Sequence, residues 1–220
     1  MKRTKKKISP DDITVQARDN ILKKLNSAKG SIENPLLSGF GDNGDLVFPE
    51  PGDLLKTFVS ELEEINGKAI VAKDTGEARD KLASTLTEKN IEELFCTDET
   101  LLKELKDLPV TNDPGKFSSM KAGLTKCEAL IARSGSVMVS SNGSGRRMNV
   151  FPPVHIIWAY RKQLVPFIAD AFAKLKENYG NNIPSQVSIV TGPSRTADIE
   201  KTLVMGAHGP RELIVMIIEN

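Results

Sequence analysis

Leu213–Ile218 reads Leu-Ile-Val-Met-Ile-Ile, six apolar residues without a polar break. A strand wetted on one side alternates in polarity, whereas an unbroken run of this length has to be covered on both faces. "HIIWAY" (155–160), "AIVAK" (69–73), "SVMVSS" (136–141) and "SQVSIV" (185–190) repeat the pattern. "EALIARSG" offers a further strand, separated from "SVMVSS" by a glycine turn at Gly135, and "IEELF" is a weaker one. Helical periodicities lie between these runs. Together they predict an α/β fold of three layers, a mainly parallel open sheet between helices.

The helices carry their own punctuation. Ser9, Pro10, Asp11 and Asp12 form a helix start, and Ile13, Ala17, Ile21 and Leu25 give it an apolar stripe that needs a partner surface. Residues 31–53 are rich in Gly, Pro, Asn and Asp and read as an extended arm. The expected organisation is therefore an N-terminal helix and arm over 1–53 and an α/β domain over 54–220. Leu54, Leu55, Phe58, Val59, Leu62 and Ile65 share one helical face ending at Gly67. Asp74 with Glu77 resembles a capping box for a helix reaching Thr87. A short helix is expected near 99–106, and another after Pro166, with Ile168, Phe172, Leu175 and Tyr179 on one side and Gly180 as its stop.

Composition narrows the function. The formal net charge of +1 lacks the basic excess of a dedicated nucleic-acid binder. Two cysteines, Cys96 and Cys127, are too few for a cysteine-ligated iron–sulfur cluster, which takes about four thiolates. The two histidines, His155 and His208, show no zinc-site spacing, so no metal is expected. The basic start "MKRTKKK" is followed by "ISPDDITVQARD" where a signal peptide needs an apolar core. No apolar stretch is long enough to span a membrane, and the expected location is cytoplasmic.

Three segments could carry chemistry. In "VTGPSRTADIE" (190–200), Gly192 and Pro193 make a turn between a strand and an expected short helix. Free N–H groups at that helix start, with Ser194, Arg195 and Thr196, would suit an anion at the carboxyl edge of the sheet. Alternatively Ser194 only caps the helix and Arg195 pairs with Asp198 or Glu200. In "MGAHGPREL" (205–213), His208 stands beside Gly209 and Pro210, either to meet a ligand or to hold the loop, while Arg211 and Glu212 read as a solvated pair. In "SSNGSGRRMNVFPPVHIIW" (140–158), a glycine-rich turn precedes Arg146 and Arg147, and His155 opens a strand. This turn lacks the Gly-Lys-Ser/Thr ending of a phosphate loop and also fits a hairpin with two surface arginines.

These segments resemble the LUD-domain family, specifically its lactate-utilisation protein C group. "SIVTGPSRTADIEKTLVMGAHGPRELIVMII" is similar to the family's C-terminal signature, "FPPVHII" to its Pro-Pro-x-His-Ile stretch, and "AGLTKCEALIARSGSVMVSS" to the preceding segment. One position departs: Arg133, in Ala132-Arg133-Ser134-Gly135, stands where the family usually carries glutamate, so that glutamate's role does not transfer. The resemblance implies a fold like the NagB/RpiA/coenzyme A transferase group. It also implies a part in oxidising L-lactate to pyruvate beside partner proteins that hold the iron–sulfur clusters, with no cofactor on this chain. Two alternatives remain: a stand-alone enzyme for a phosphate- or coenzyme A-bearing metabolite, or an assembly module that forms homo-oligomers through the N-terminal helix. No catalytic residue is assigned.

Overall fold

The computed structural model describes residues 18–24, 27, 51–196, 204–206 and 208–220. The chain divides into two units, Met1–Pro49 and Glu50–Asn220. In the first, residues 18–24 are helical, with Ile21 and Leu22 exposed. The expected start at Ser9–Pro10, the positions Ile13, Ala17 and Leu25, and the arm over 31–50 lie outside the described residues.

The second unit is built on two sheets. In chain order its strands are β1 (Lys68–Ala72), β2 (Leu94–Phe95), β3 (Val110–Thr111), β4 (Ala122–Lys126), β5 (Ala129–Ile131) and β6 (Ser136–Ser140). Then come β7 (Val154–Tyr160), β8 (Leu164–Val165), β9 (Val187–Val190), β10 (Arg195–Thr196), β11 (Val204–Met205) and β12 (Glu212–Ile218). The main sheet runs β1-β12-β7-β4-β2-β3, and every neighbouring pair is parallel. A smaller mixed sheet runs β8-β5-β6-β9, and β10 with β11 forms an antiparallel pair.

The apolar runs are buried for the expected reason. Along β12, Ile214, Met216 and Ile218 face one core while Leu213, Val215 and Ile217 face another. Helices α2 (Thr75–Glu88) and α3 (Glu99–Glu104) cover the first face through Ala78, Leu82, Leu86 and Leu101. Helix α1 (Leu54–Glu64) and the small sheet cover the second, so the main sheet is the middle of three layers. Helix α4 (Ile168–Tyr179) lies on the far side of the small sheet.

Helix ends follow the sequence with two adjustments. Asp74 accepts the N–H of Glu77 at 2.9 Å, but the Glu77 carboxylate accepts the N–H of Lys73 instead of closing a reciprocal box with Asp74. Helices α1 and α2 both terminate on asparagine in the left-handed region, Asn66 at φ 64° and Asn90 at φ 51°. In each case the next two N–H groups reach back to the last turn: Asn66 to Glu63 and Gly67 to Leu62, Asn90 to Thr87 and Ile91 to Leu86. The expected stop at Gly67 is thus one residue late.

Helix α4 packs through Leu175 and Tyr179 of the expected face but not through Ile168 and Phe172. Ala171 and Leu175 are buried against the small sheet, whereas Ile168 and Phe172 are exposed. One residue turns a helix by about 100°, so the seam through Ala171 leaves Phe172 well round the cylinder.

Gly135 fixes the position of α1. Its φ is +57°, and a Cβ there would stand 2.3 Å from the backbone nitrogen of Leu62. Gly145 has a similar φ of +71° with nothing within 4 Å of a Cβ. Gly135→Ala is expected to lower unfolding free energy by about 2–4 kcal/mol, from backbone strain plus overlap with α1. Gly145→Ala, with strain alone, should cost about 1 kcal/mol. Urea unfolding of the two variants checks this, and equal losses would contradict it.

Candidate functional site

The two halves of the C-terminal signature, though separated in sequence, are sewn together by their backbones. The N–H of Ser194 donates to the carbonyl of Pro210 at 2.8 Å, and the N–H of Gly206 donates to the carbonyl of Ser194 at 2.9 Å. The N–H of Arg211 donates to the carbonyl of Pro153 at 2.8 Å, which joins the same loop to the start of β7. The glycines are what let these strands of chain approach. A Cβ on Gly192 would meet the Ile65 carbonyl oxygen at 2.6 Å, and one on Gly206 would meet Cγ of Arg211 at 2.1 Å. Gly209 lies against Ser194, whose Cβ would be 3.2 Å from an added Cβ.

This fastening makes one wall of a cleft of about 550 Å³, lined by Arg147, Phe151, Pro153, His208, Gly209 and Arg211 among others. Pro153 immediately precedes β7 and Arg211 immediately precedes β12, so the cleft lies at the amino edge of the main sheet. The expected carboxyl-edge position is therefore corrected for these residues: the turn after β9 belongs to the small sheet and folds back onto the beginning of β12. Among the described residues no carboxylate lines the cleft, and neither Arg147 nor Arg211 has a carboxylate partner. The guanidinium of Arg147 is laid 4.0 Å over the ring of Phe117, which itself packs on Phe151 at 4.7 Å. Stacking of this kind holds an arginine in place without neutralising it.

Of the residues singled out from sequence, Arg147, His208 and Gly209 meet in this cleft. The others do not. Arg146 turns toward a different cavity and donates through Nε to the Ser185 hydroxyl at 3.3 Å. Gly192 is buried beside Ile65, and Ser194 sits behind Gly209. Arg195 and Thr196 form β10, pairing with Met205 and Val204, so the helix expected directly after Ser194 is replaced there by a strand. Arg195 is exposed, and its expected partners Asp198 and Glu200 lie outside the described residues. The backbone donors of Ser194 and Gly206 are consumed in the fastening and are not available to an anion.

His155 is fully buried and lies in the core, between Gly123 of β4 and Leu213 of β12. It has no exposed surface with which to touch a ligand. Its Nε2 and the Thr125 hydroxyl oxygen share a hydrogen bond of 2.8 Å, and Nδ1 has no partner among the described residues. Burial lowers its pKa from 6.5 to about 4. Cys96 and Cys127 are buried thiols. Burial pushes Cys96 up to about 11 and raises Cys127 as well, so neither is a ready ligand or nucleophile. Among the described residues no group of three or more His, Cys, Asp or Glu could hold a metal ion, and no helix is long and apolar enough to cross a membrane.

Arg211 is the residue that sequence reading misplaced. Glu212 pairs with Lys89, leaving the Arg211 side chain to run over Gly206 into the cleft. The signal was the glycine five residues earlier, which is small enough to receive an arginine stem.

The family described as LUD domain matches residues 55–218. "Lactate utilization protein C" of Bacillus licheniformis is 38% identical over 101 residues, covering 44% of this chain and 42% of the relative. The protein of the same name from Bacillus subtilis is 32% identical over 108 residues, covering 48% and 45%. The chain thus spans under half the length of these curated relatives. The crystal structure of a DUF162 family protein from Deinococcus radiodurans superposes with a TM-score of 0.58 at 18% identity, covering 75% of this chain and 96% of that one, which shows the fold.

The pKa of His155 leads to a pH test. Because the folded value lies below the unfolded one, its contribution to stability is complete above pH 6.5 and is lost as pH falls toward 4, the unfolded chain taking up the proton first. Between pH 7 and pH 5 this group should remove about 2 kcal/mol. Urea unfolding at both pH values should show that loss in the wild type and a much smaller one in His155→Gln. Equal losses in the two proteins would show that another group is responsible.

Proposed function

We propose that this chain, which belongs to the LUD domain family, serves lactate utilisation by holding a small organic anion in the cleft at the amino edge of β7 and β12. The observation that carries the reading is the convergence of Arg147, Arg211 and His208 on one cleft that no described carboxylate lines. The names of its relatives support lactate as the anion, and pyruvate is the oxidation product of lactate. A monocarboxylate of that kind fits the chemistry: a guanidinium fork donates to the carboxylate, His208 meets the hydroxyl or keto oxygen, and Phe151 and Pro153 shelter the methyl group.

In this reading the chain is an accessory protein of a lactate-oxidising system. Electron transfer belongs to iron–sulfur partners, and the chain's part is to bind the substrate or product anion or to present it to them. Its own cysteines are packed in the core, which favours that division of labour.

Titration calorimetry with L-lactate and with pyruvate tests the proposal on the wild type and on Arg211→Ala. At least one of the two acids is expected to bind, and the variant should bind it at least about tenfold more weakly. That factor corresponds to losing one charge-assisted contact of about 1.5 kcal/mol. No binding of either acid to the wild type, or unchanged affinity in the variant, would overturn it.

A further inference from the structure

A second cavity of about 500 Å³ opens beside Thr97 and Asn112, which follow the carboxyl ends of β2 and β3. Its floor is apolar, made by Phe95, Phe117 and Met148. Phe95 and Phe117 meet edge to face with centroids 5.4 Å apart, which fixes the shape of that floor. Its rim is Gly145, Arg146 and Arg147.

Each rim residue has a defined conformation or contact. Gly145 takes a left-handed turn at φ +71°, which favours glycine, and leaves open space beside its backbone. Arg146 is oriented through Nε by Ser185, which leaves its two terminal nitrogens for another acceptor. Arg147 is pinned over Phe117. Among the described residues neither arginine has a carboxylate partner, and no carboxylate lines the cavity.

We propose that this cavity is a second ligand site and takes a nucleoside phosphate, with the base against the partly exposed Phe117, over the buried Phe95 and Met148, and the phosphate between Arg146 and Arg147. Two adjacent guanidinium groups offer more donors than one carboxylate accepts, and they match the three oxygens of a phosphate. The space is larger than lactate or pyruvate needs and suits a base with its sugar. The site adjoins the anion cleft through Arg147 and does not depend on lactate or pyruvate binding there. Arg147 alone lines both.

The test is calorimetry with ADP, adenosine and inorganic phosphate on the wild type, Arg146→Ala and Arg211→Ala, with pyruvate as a parallel ligand. ADP should bind at least about tenfold more tightly than either fragment, since both halves of the cavity contribute. Arg146→Ala should weaken ADP at least about tenfold and leave pyruvate affinity alone. Arg211→Ala should leave ADP affinity unchanged. Both arginines are exposed, so each variant should retain the wild-type thermal transition. Absence of ADP binding, inorganic phosphate binding as tightly as ADP, or insensitivity of ADP to Arg146→Ala would each overturn the proposal. ADP binding without pyruvate binding would sustain it while removing the lactate reading.

Discussion

Three backbone hydrogen bonds govern the site: Ser194 to Pro210, Gly206 to Ser194, and Arg211 to Pro153. They join the turn after β9 in the small sheet, the loop before β12 and the entry to β7 in the main sheet. Each is an ordinary amide–carbonyl bond with a net contribution of about 1 kcal/mol. Their importance is positional, because together they place His208 and Arg211 opposite Arg147. Gly192, Gly206 and Gly209 are the residues that make this close approach sterically possible.

A cationic cleft would be self-repelling without such a frame. Arg147 is held by the face of Phe117, and Arg211 by its stem lying across Gly206, so neither position requires a neutralising carboxylate. The result is a pair of charges with no carboxylate partner among the described residues. Beneath them His155 stays neutral and buried, bonded to Thr125, and contributes to the packing between β4 and β12. The same histidine that looks like a site residue in the sequence thus belongs to the foundation of the site.

The fold was largely legible because unbroken apolar runs have few destinations. Leu213–Ile218 and His155–Tyr160 lie in the parallel sheet, and the α1 stripe at Phe58 and Leu62 is buried. The small sheet was not legible as a separate sheet, since β8 and β9 join the β5–β6 hairpin from distant parts of the chain. Strands as short as β2, β3, β8, β10 and β11 carry too few residues for periodicity to register. The signature loops supply His208 and Gly209 to a cleft that lies at the amino edge of the main sheet instead of the expected carboxyl edge. Sequence reading assigned Ser194 and Gly192 to the ligand, whereas their backbone and packing serve the fold. Arg211 was discounted because Glu212 beside it looked like its partner, and only the tertiary structure brings Lys89 to that glutamate.

The central claim is that the fastened loops present Arg147, Arg211 and His208 to a carboxylate at the amino edge of β7 and β12. A crystal structure of the chain with saturating pyruvate tests it most directly. The account predicts the ligand carboxylate within about 3 Å of guanidinium nitrogens from Arg147 or Arg211. Pyruvate bound instead at the carboxyl edge of the main sheet, with this cleft filled only by solvent, would contradict it.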